Sequence, residues 1–282
     1  MLICRTLDEL RQARQSLGGR VALVPTMGAL HAGHLAHLGY ARRAADHVVV
    51  SIFVNPTQFG PHEDFNRYPR TLEVDTAKCE TAGADLVFAP EAETVYPPGV
   101  PGVELTVPGV ADGLEGAQRP GHFAGVCRVV LKLLNLVRPD AVTFGRKDYQ
   151  QLAVVSAMIN DLMLPIDIIE VPTVREDDGL AMSSRNRYLE GDERKHALGL
   201  SKALKQAQQM AADGEPDPVA IEAMMRDVMQ AYHLEVDYAA VRHARTLGEI
   251  DSVVPTESVA LVAGRLGKVR LIDNAVLSET MP

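Results

Sequence analysis

The chain has 282 residues, 46% of them hydrophobic and 23% charged, with a formal net charge of −9. That is ordinary for a folded protein of one large or two average domains. The acidic balance argues against a general nucleic-acid or anionic-membrane binder, which needs a basic face, but leaves room for a small anionic substrate in a local basic pocket.

Near the start, Arg5, Asp8 and Glu9 interrupt any apolar run, so no secretory leader is expected. VALVP (21–25) is short and β-branched and reads as a strand. It runs into PTMGALHAGHLAHL (25–38), a tight turn into a helix on which Leu35, Leu38, Ala41 and Ala45 share a face. Gly28 and Gly33 have the spacing of a P-loop frame, but His34-Leu35 stand where Lys-Ser/Thr is required, which excludes a Walker-type ATPase. Part of the logic survives. Glycines allow close backbone approach, and the first turn of a helix offers N–H groups to a phosphate. With His34 at or near the helix start and His31 one turn before it, two imidazoles could stabilise charge building on a breaking phosphoryl bond. Two plainer readings stay open: loop histidines with structural bonds, or part of a zinc site with His62, His122 or His196 as a scattered third ligand.

HVVVSIFVN (47–55) is a continuous apolar run, as in a strand buried on both faces. It ends at Asn55-Pro56, and Gln58 follows; a side-chain amide there suits hydroxyl recognition or simply caps a loop. Tyr68, Pro69 and Arg70 close a long polar loop that either covers a site or lies on the surface. DLVFAP (85–90), AVTFG (141–145) and DIIEVPTV (167–174) read as further strands. Before AVTFG, the apolar stretch 124–137 is broken by Arg128 and Lys132 and falls short of a membrane span, while Val129, Leu133, Leu136 and Val137 recur at helical spacing. After Phe144 and Gly145, Lys147 and Asp148 are expected to start a helix, with Gln151 on the same face as Lys147. Lys147 there could offset phosphate charge, or be a solvated surface lysine. The alternation predicts an α/β, Rossmann-like N-terminal domain over 1–174, with a mostly parallel sheet, helices on both faces and ligands beyond the strands' carboxyl ends.

Past Arg175 the composition changes. EDDGLAMSSRNRYL (176–189) is polar and turn-forming, with hydroxyls at Ser183 and Ser184, a guanidinium at Arg185 and a possible helix cap at Asn186. Helices are expected over 190–212 and 218–233, then strands at VDYAAV (236–241), SVALVAG (258–264) and KVRLID (268–273). This predicts a smaller C-terminal α+β domain over 175–282. The three cysteines, Cys4, Cys79 and Cys127, are widely spaced and form no metal or disulfide pattern, which suits reduced thiols in a cytoplasmic protein.

PTMGALHAGH, FVNPTQF with YPRT, RPGHFAGV, FGRKDYQQL and MSSRN together resemble, in this order and across nearly the whole chain, the motifs of the pantoate–β-alanine ligase family. That family is similar to nucleotidyltransferases and class I aminoacyl-tRNA synthetases; HAGH corresponds to their HxGH-type signature and MSSR to their second one. The resemblance implies a ligase of pantothenate and coenzyme A biosynthesis. Pantoate would attack the α-phosphorus of ATP, and β-alanine would then take the pantoyl group from the adenylate. ATP with Mg2+ is implied as substrate, with no tightly bound organic cofactor, no nucleic-acid or membrane partner, and a homodimeric state.

By motif match, Met27, Gly28, Ala29, Leu30, His31, Ala32, Gly33 and His34 would form one side of the ATP site. His34 would be the catalytic acid, and His31 would contact phosphates. Gly145, Arg146, Lys147, Asp148, Val174, Met182, Ser183, Ser184 and Arg185 would complete it, with Lys147 catalytic near the α-phosphate. Gln58 and Gln151 would bind pantoate, Gln58 would border β-alanine, Tyr68 and Arg70 would belong to a covering loop, and the second domain would act as a lid hinged at MSSR. Two positions depart from the family pattern: Arg146, expected to face solvent, and Arg128, expected to affect a helix and its packing or a subunit contact. Three competing readings are a superfamily member with another acceptor, a non-catalytic nucleotide-binding protein and a metal hydrolase.

Overall fold

The computed structural model describes residues 1–61, 63 and 65–281. The strands are β1 Leu2–Cys4, β2 Val21–Thr26, β3 His47–Ile52, β4 Leu86–Phe88, β5 Ala141–Gly145, β6 Asp167–Val171, β7 Glu235–His243, β8 Ser258–Leu266 and β9 Val269–Val276. The helices are α1 Leu7–Gln15, α2 Ala32–Ala44, α3 Leu72–Thr81, α4 Ala92–Val95, α5 Glu115–Gln118, α6 His122–Val137, α7 Tyr149–Asp161, α8 Glu193–Ala212 and α9 Pro218–Ala231. The chain forms two compact units, 1–145 with 154–172, and 146–153 with 173–282.

The first unit is built on a six-stranded parallel sheet in the order β1-β4-β3-β2-β5-β6. Its central strands are apolar at consecutive positions because both faces are covered. Ala22, Val24, Val48 and Val50 pack with Leu38 and Ala41 of α2 and Cys79 of α3 in one core. Val21, Leu23 and Val49 alternate with them and are equally buried, as the two-residue period of a strand requires. α6 packs against α1 and β2. The three cysteines are free and buried, and burial pushes the thiols of Cys79 and Cys127 up to about 11, so they are poor nucleophiles.

The second unit carries an antiparallel sheet in the order β7-β8-β9 with α8 and α9 packed on it. Leu200, Leu204 and Ala207 of α8 and Ile221, Met225 and Met229 of α9 meet Val241, Val262 and Leu271 in its core. α9 begins as its sequence dictates, with Asp217 accepting from Val219 N–H at 2.8 Å and Pro218 following.

Candidate active site

In the first unit the reactive segment leaves the carboxyl end of β2, the location at which parallel sheets bind ligands. Buried Thr26 donates its hydroxyl to Ser51 O at 2.7 Å and accepts from Gly28 N–H at 3.3 Å. Ala29 then adopts a φ of 53°, which costs a non-glycine residue roughly 1–2 kcal/mol. The turn is held there by Asp75 of α3, whose carboxylate accepts from Ala29 N–H and Leu30 N–H, both at 2.8 Å.

His31 is the N-cap of α2, and His34 stands at its third position. His31 Nδ1 accepts from Gly33 N–H at 3.1 Å, and His34 Nδ1 accepts from His31 N–H at 3.2 Å. This is a reciprocal capping box made of two imidazoles, whose ring centroids lie 4.1 Å apart. Gly33 makes the fold-back possible, since a Cβ there would sit 2.9 Å from the His31 ring. A ring nitrogen that accepts an N–H bond carries no proton, so each neutral imidazole holds its proton on Nε2. Two Nε2–H donors therefore sit at a helix N-terminus, where the backbone amides and the helix dipole favour an anion.

Gln58 is brought to this turn. Its Nε2 reaches Met27 Sδ at 3.2 Å, and its Oε1 accepts from Asn55 Nδ2 at 3.0 Å. Asn55 is itself fully engaged. It donates to Gly125 O at 3.2 Å and accepts from Thr57 N–H at 3.3 Å and Tyr96 O–H at 2.9 Å. Gly125 of α6 lies against this turn so closely that a Cβ would meet Thr57 O at 2.2 Å. His122, buried on the first turn of α6, has Nδ1 at 2.8 Å from Gln58 O and Nε2 at 2.9 Å from Arg119 Nη1. Arg119 is a permanent donor, so Nε2 accepts and Nδ1–H donates to Gln58. Arg119 also forks onto Glu63 at 2.7 and 2.8 Å. Burial, reinforced by the Arg119 charge, depresses the His122 pKa from 6.5 to about 4, against the opposing pull of the Gln58 bond, Glu63 and Glu115. With both nitrogens committed, His122 is no third zinc ligand. Among the described residues no group of three or more His, Cys, Asp or Glu side chains is placed to hold a metal ion; His62 lies outside those residues. Tyr68 is buried edge-on to Phe59, and Arg70 donates to Tyr68 O at 3.3 Å. Arg128 packs its guanidinium over the Tyr96 ring, 4.8 Å from the centroid, behind Asn55.

The second unit gathers the remaining motifs. Lys147 does not start a helix; it sits in a 3-10 turn, Arg146–Asp148, ahead of α7. Asn274 of β9 holds this turn, donating Nδ2 to Arg146 O at 2.9 Å and to Lys147 O at 2.8 Å. Lys147 Nζ lies 3.4 Å from Asp148 Oδ1. Arg146 bonds Glu279 at 2.6 Å in an exposed ion pair, its side chain 34% accessible and reaching a carboxylate near the end of the chain. Beside Asn274, Asp273 takes both prongs of Arg175 at 2.7 and 3.0 Å. The side chains of Asp273 and Arg175 are 1% and 7% exposed.

Val174 O accepts from Met182 N–H at 2.9 Å, closing a hairpin with the bridge Arg175↔Ala181. Ser183 caps the following 3-10 turn, Ser184–Tyr188, by accepting from Arg185 N–H at 3.2 Å. Asn186 is therefore not the cap; it is buried inside the turn and donates to Glu176 Oε1 at 2.7 Å and Ala181 O at 3.0 Å. This turn and the Lys147 turn both pack against β9. Gln151 is half-buried in the first turn of α7. Asn55, Asp75 and Asn274 hold these turns by bonds to distant segments, and the sequence alone gives them no role.

The family described as Pantoate-beta-alanine ligase matches residues 2–276 of the chain. A pantothenate synthetase of Acidothermus cellulolyticus is 52% identical over 276 residues, covering 97% of this chain and 90% of its own. The crystal structure of pantothenate synthetase from Thermus thermophilus superposes with a TM-score of 0.92 at 45% identity, covering 99% of this chain and 100% of that one. The pantoate-beta-alanine ligase from Francisella tularensis, complexed with beta-gamma ATP and beta-alanine, gives a TM-score of 0.79 at 30% identity with full coverage of both chains.

Proposed function

The chain belongs to the pantoate–β-alanine ligase family, and from that premise we propose how its own residues join pantoate to β-alanine with ATP. A pantoate carboxylate oxygen attacks the α-phosphorus, and the bond to pyrophosphate breaks. The β-alanine amine then attacks the acyl carbon of the pantoyl adenylate, loses a proton and expels AMP, leaving pantothenate.

The observation that carries the assignment is the imidazole capping box. It places two imidazoles, each with Nδ1 accepting a backbone N–H, at the first turn of α2, where the helix dipole favours an anion. His34 donates to the phosphate oxygens as charge grows in the transition state, and His31 contacts the phosphates beside it. The backbone of Met27, Gly28, Ala29, Leu30, Ala32 and Gly33 lines the nucleotide. Lys147 offsets the charge that opposes carboxylate attack. Ser183, Ser184 and Arg185 bind the other phosphates, and Gly145, Arg146, Asp148, Val174 and Met182 contribute contacts to the nucleotide. Gln58, its amide oriented by Asn55 and Met27, grips pantoate with Gln151 and borders β-alanine. Mg2+ enters as the counter-ion of the triphosphate, a role it fills with phosphates and water and few protein ligands. Tyr68 and Arg70 belong to the covering loop.

Cytoplasmic placement and a homodimer complete the proposal. Three buried free thiols support the first, and no helix of the described residues is long and apolar enough to cross a membrane. The homodimer rests on the family resemblance; light scattering at a dimer mass is the expected result. The reaction is tested by pyrophosphate–ATP isotope exchange with pantoate present and β-alanine absent. Exchange is expected. Its absence, with pantothenate still formed when β-alanine is added, would remove the adenylate from the scheme. An analogue lacking the pantoate hydroxyls should be used on the order of 10⁴-fold less well, because a site built for hydroxyls is left with unpaired groups.

A further inference from the structure

α3 contributes no group to the reaction proposed above, yet it grips the turn that does. Asp75 is 1% exposed. Its Oδ1 accepts from Leu30 N–H at 2.8 Å, and its Oδ2 accepts from Ala29 N–H at 2.8 Å and from Thr71 Oγ1 at 3.0 Å. Three residues along the same helix, Lys78 Nζ donates to Leu30 O at 2.6 Å. Both polar groups of the Leu30 backbone are thus clamped by side chains of α3. A carboxylate and an ammonium ion make stronger hydrogen bonds than neutral partners do, and here they meet the peptide groups of a left-handed residue and its neighbour. Helix-surface packing alone would not require a buried carboxylate at this position, since a buried ion without such bonds is strongly disfavoured.

The next residue is His31, whose N–H holds His34 Nδ1. The connection runs from Asp75 through Leu30 to the His31 peptide, and from there to the ring of His34. We propose that Asp75, assisted by Lys78, is a positioning residue that fixes the tautomer and aim of His34 by clamping the peptide before it. The functional consequence rests on the adenylation reading; the structural part does not. With the clamp released, the Ala29 peptide relaxes from its left-handed conformation. The His31 N–H turns away, and His34 Nδ1 is no longer reserved as an acceptor. The imidazole then populates both tautomers and loses the fixed direction of its Nε2–H.

The test uses the full chain in two variants, Asp75→Asn and Lys78→Met. An asparagine side chain retains one acceptor but turns an NH2 group toward a backbone donor. Lys78→Met keeps the stem and removes only the bond to Leu30 O. Imidazole 15N spectra should show a single His34 tautomer with the proton on Nε2 in the parent and a mixture in both variants. The kcat for pantoate-dependent ATP–pyrophosphate exchange should fall about 10- to 100-fold in Asp75→Asn and about threefold to tenfold in Lys78→Met, with the KM for pantoate within threefold of the parent. The spectra need no substrate. Absent exchange in the parent would therefore sink the adenylation reading and leave the clamp standing, whereas a single unchanged His34 tautomer with kcat within twofold of the parent in a folded variant would sink the clamp. If Asp75→Asn does not fold, Lys78→Met alone decides, by the same two readouts.

Discussion

The His31–His34 turn of the first unit and the Lys147 turn of the second are held by opposite kinds of partner. In the first, charged groups of α3 clamp the backbone, with Asp75 on two N–H groups and Lys78 on a carbonyl. In the second, the neutral amide of Asn274 bridges two carbonyls. The difference follows from what each turn must present. A turn that offers N–H donors to an anion tolerates a buried carboxylate behind it, because the carboxylate consumes amides that point the other way. A carboxylate could not hold the Lys147 turn, whose bonded groups are two carbonyls, and it would add a second anion beside the Asp148 carboxylate that already lies 3.4 Å from Lys147 Nζ. A donor-bearing neutral amide fixes the Lys147 turn without that cost.

The largest expected effect falls on the support behind Asn274. Arg175→Met leaves Asp273 buried and unpaired, so urea unfolding should show a loss of about 3–5 kcal/mol; a loss under about 1 kcal/mol, the worth of an exposed pair, would mean that this pair is not what anchors β9. His34→Ala should lower kcat for exchange by on the order of 10²–10³ with the fold retained and only about 1 kcal/mol lost with the capping bond, and near-normal turnover would return His34 to a purely structural cap.

His122 gives a pH test on the first unit. Its folded pKa is about 4, against 6.5 for an unperturbed histidine. The unfolded chain therefore binds the proton first, and stability rises with pH between those values. This contribution is complete above about pH 6.5, declines as the pH falls and levels off below about pH 4, for a total of roughly 3–3.5 kcal/mol. Urea midpoints from about pH 7 to about pH 4 should fall more steeply in the parent than in His122→Asn, whose amide keeps a donor for Gln58 O and does not titrate; parallel curves would contradict it. The smallest effect is at Asn274. Asn274→Ala removes both hydrogen bonds to the Lys147 turn and should cost about 1–2 kcal/mol and raise the KM for ATP severalfold. Asn274→Asp separates the two turns further, because a carboxylate cannot donate to those carbonyls and adds an anion beside Lys147. It should raise that KM more than Ala does, and equal effects would undo the electrostatic part of the contrast between the turns.

The regular elements were legible, because the patterns that mark them are local. β2, β3 and β5 announce themselves as continuous apolar runs, and α8 and α9 by their helical spacing. His31, His34, Lys147 and the MSSR segment were legible as candidates because each clusters with turn formers at a strand end or hairpin. The residues that aim them were not. Asp75 meets its partners across 46 and 45 residues, and Asn274 across 128 and 127. A single Asp on a polar helix, or an Asn in a strand, carries no local signature of such a bond. The capping misassignment at Asn186 has the same origin: Ser183 and Asn186 are both good cap residues, and only the buried contacts to Glu176 and Ala181 decide between them.

Adenylation requires that pantoate's own oxygen bond to the α-phosphorus before β-alanine arrives at the acyl carbon. Pantoate labelled with 18O in its carboxylate, turned over with ATP and β-alanine, tests this directly by mass spectrometry of the AMP released. One 18O in the AMP phosphoryl group is the expected result; AMP free of label while pantothenate accumulates would contradict it.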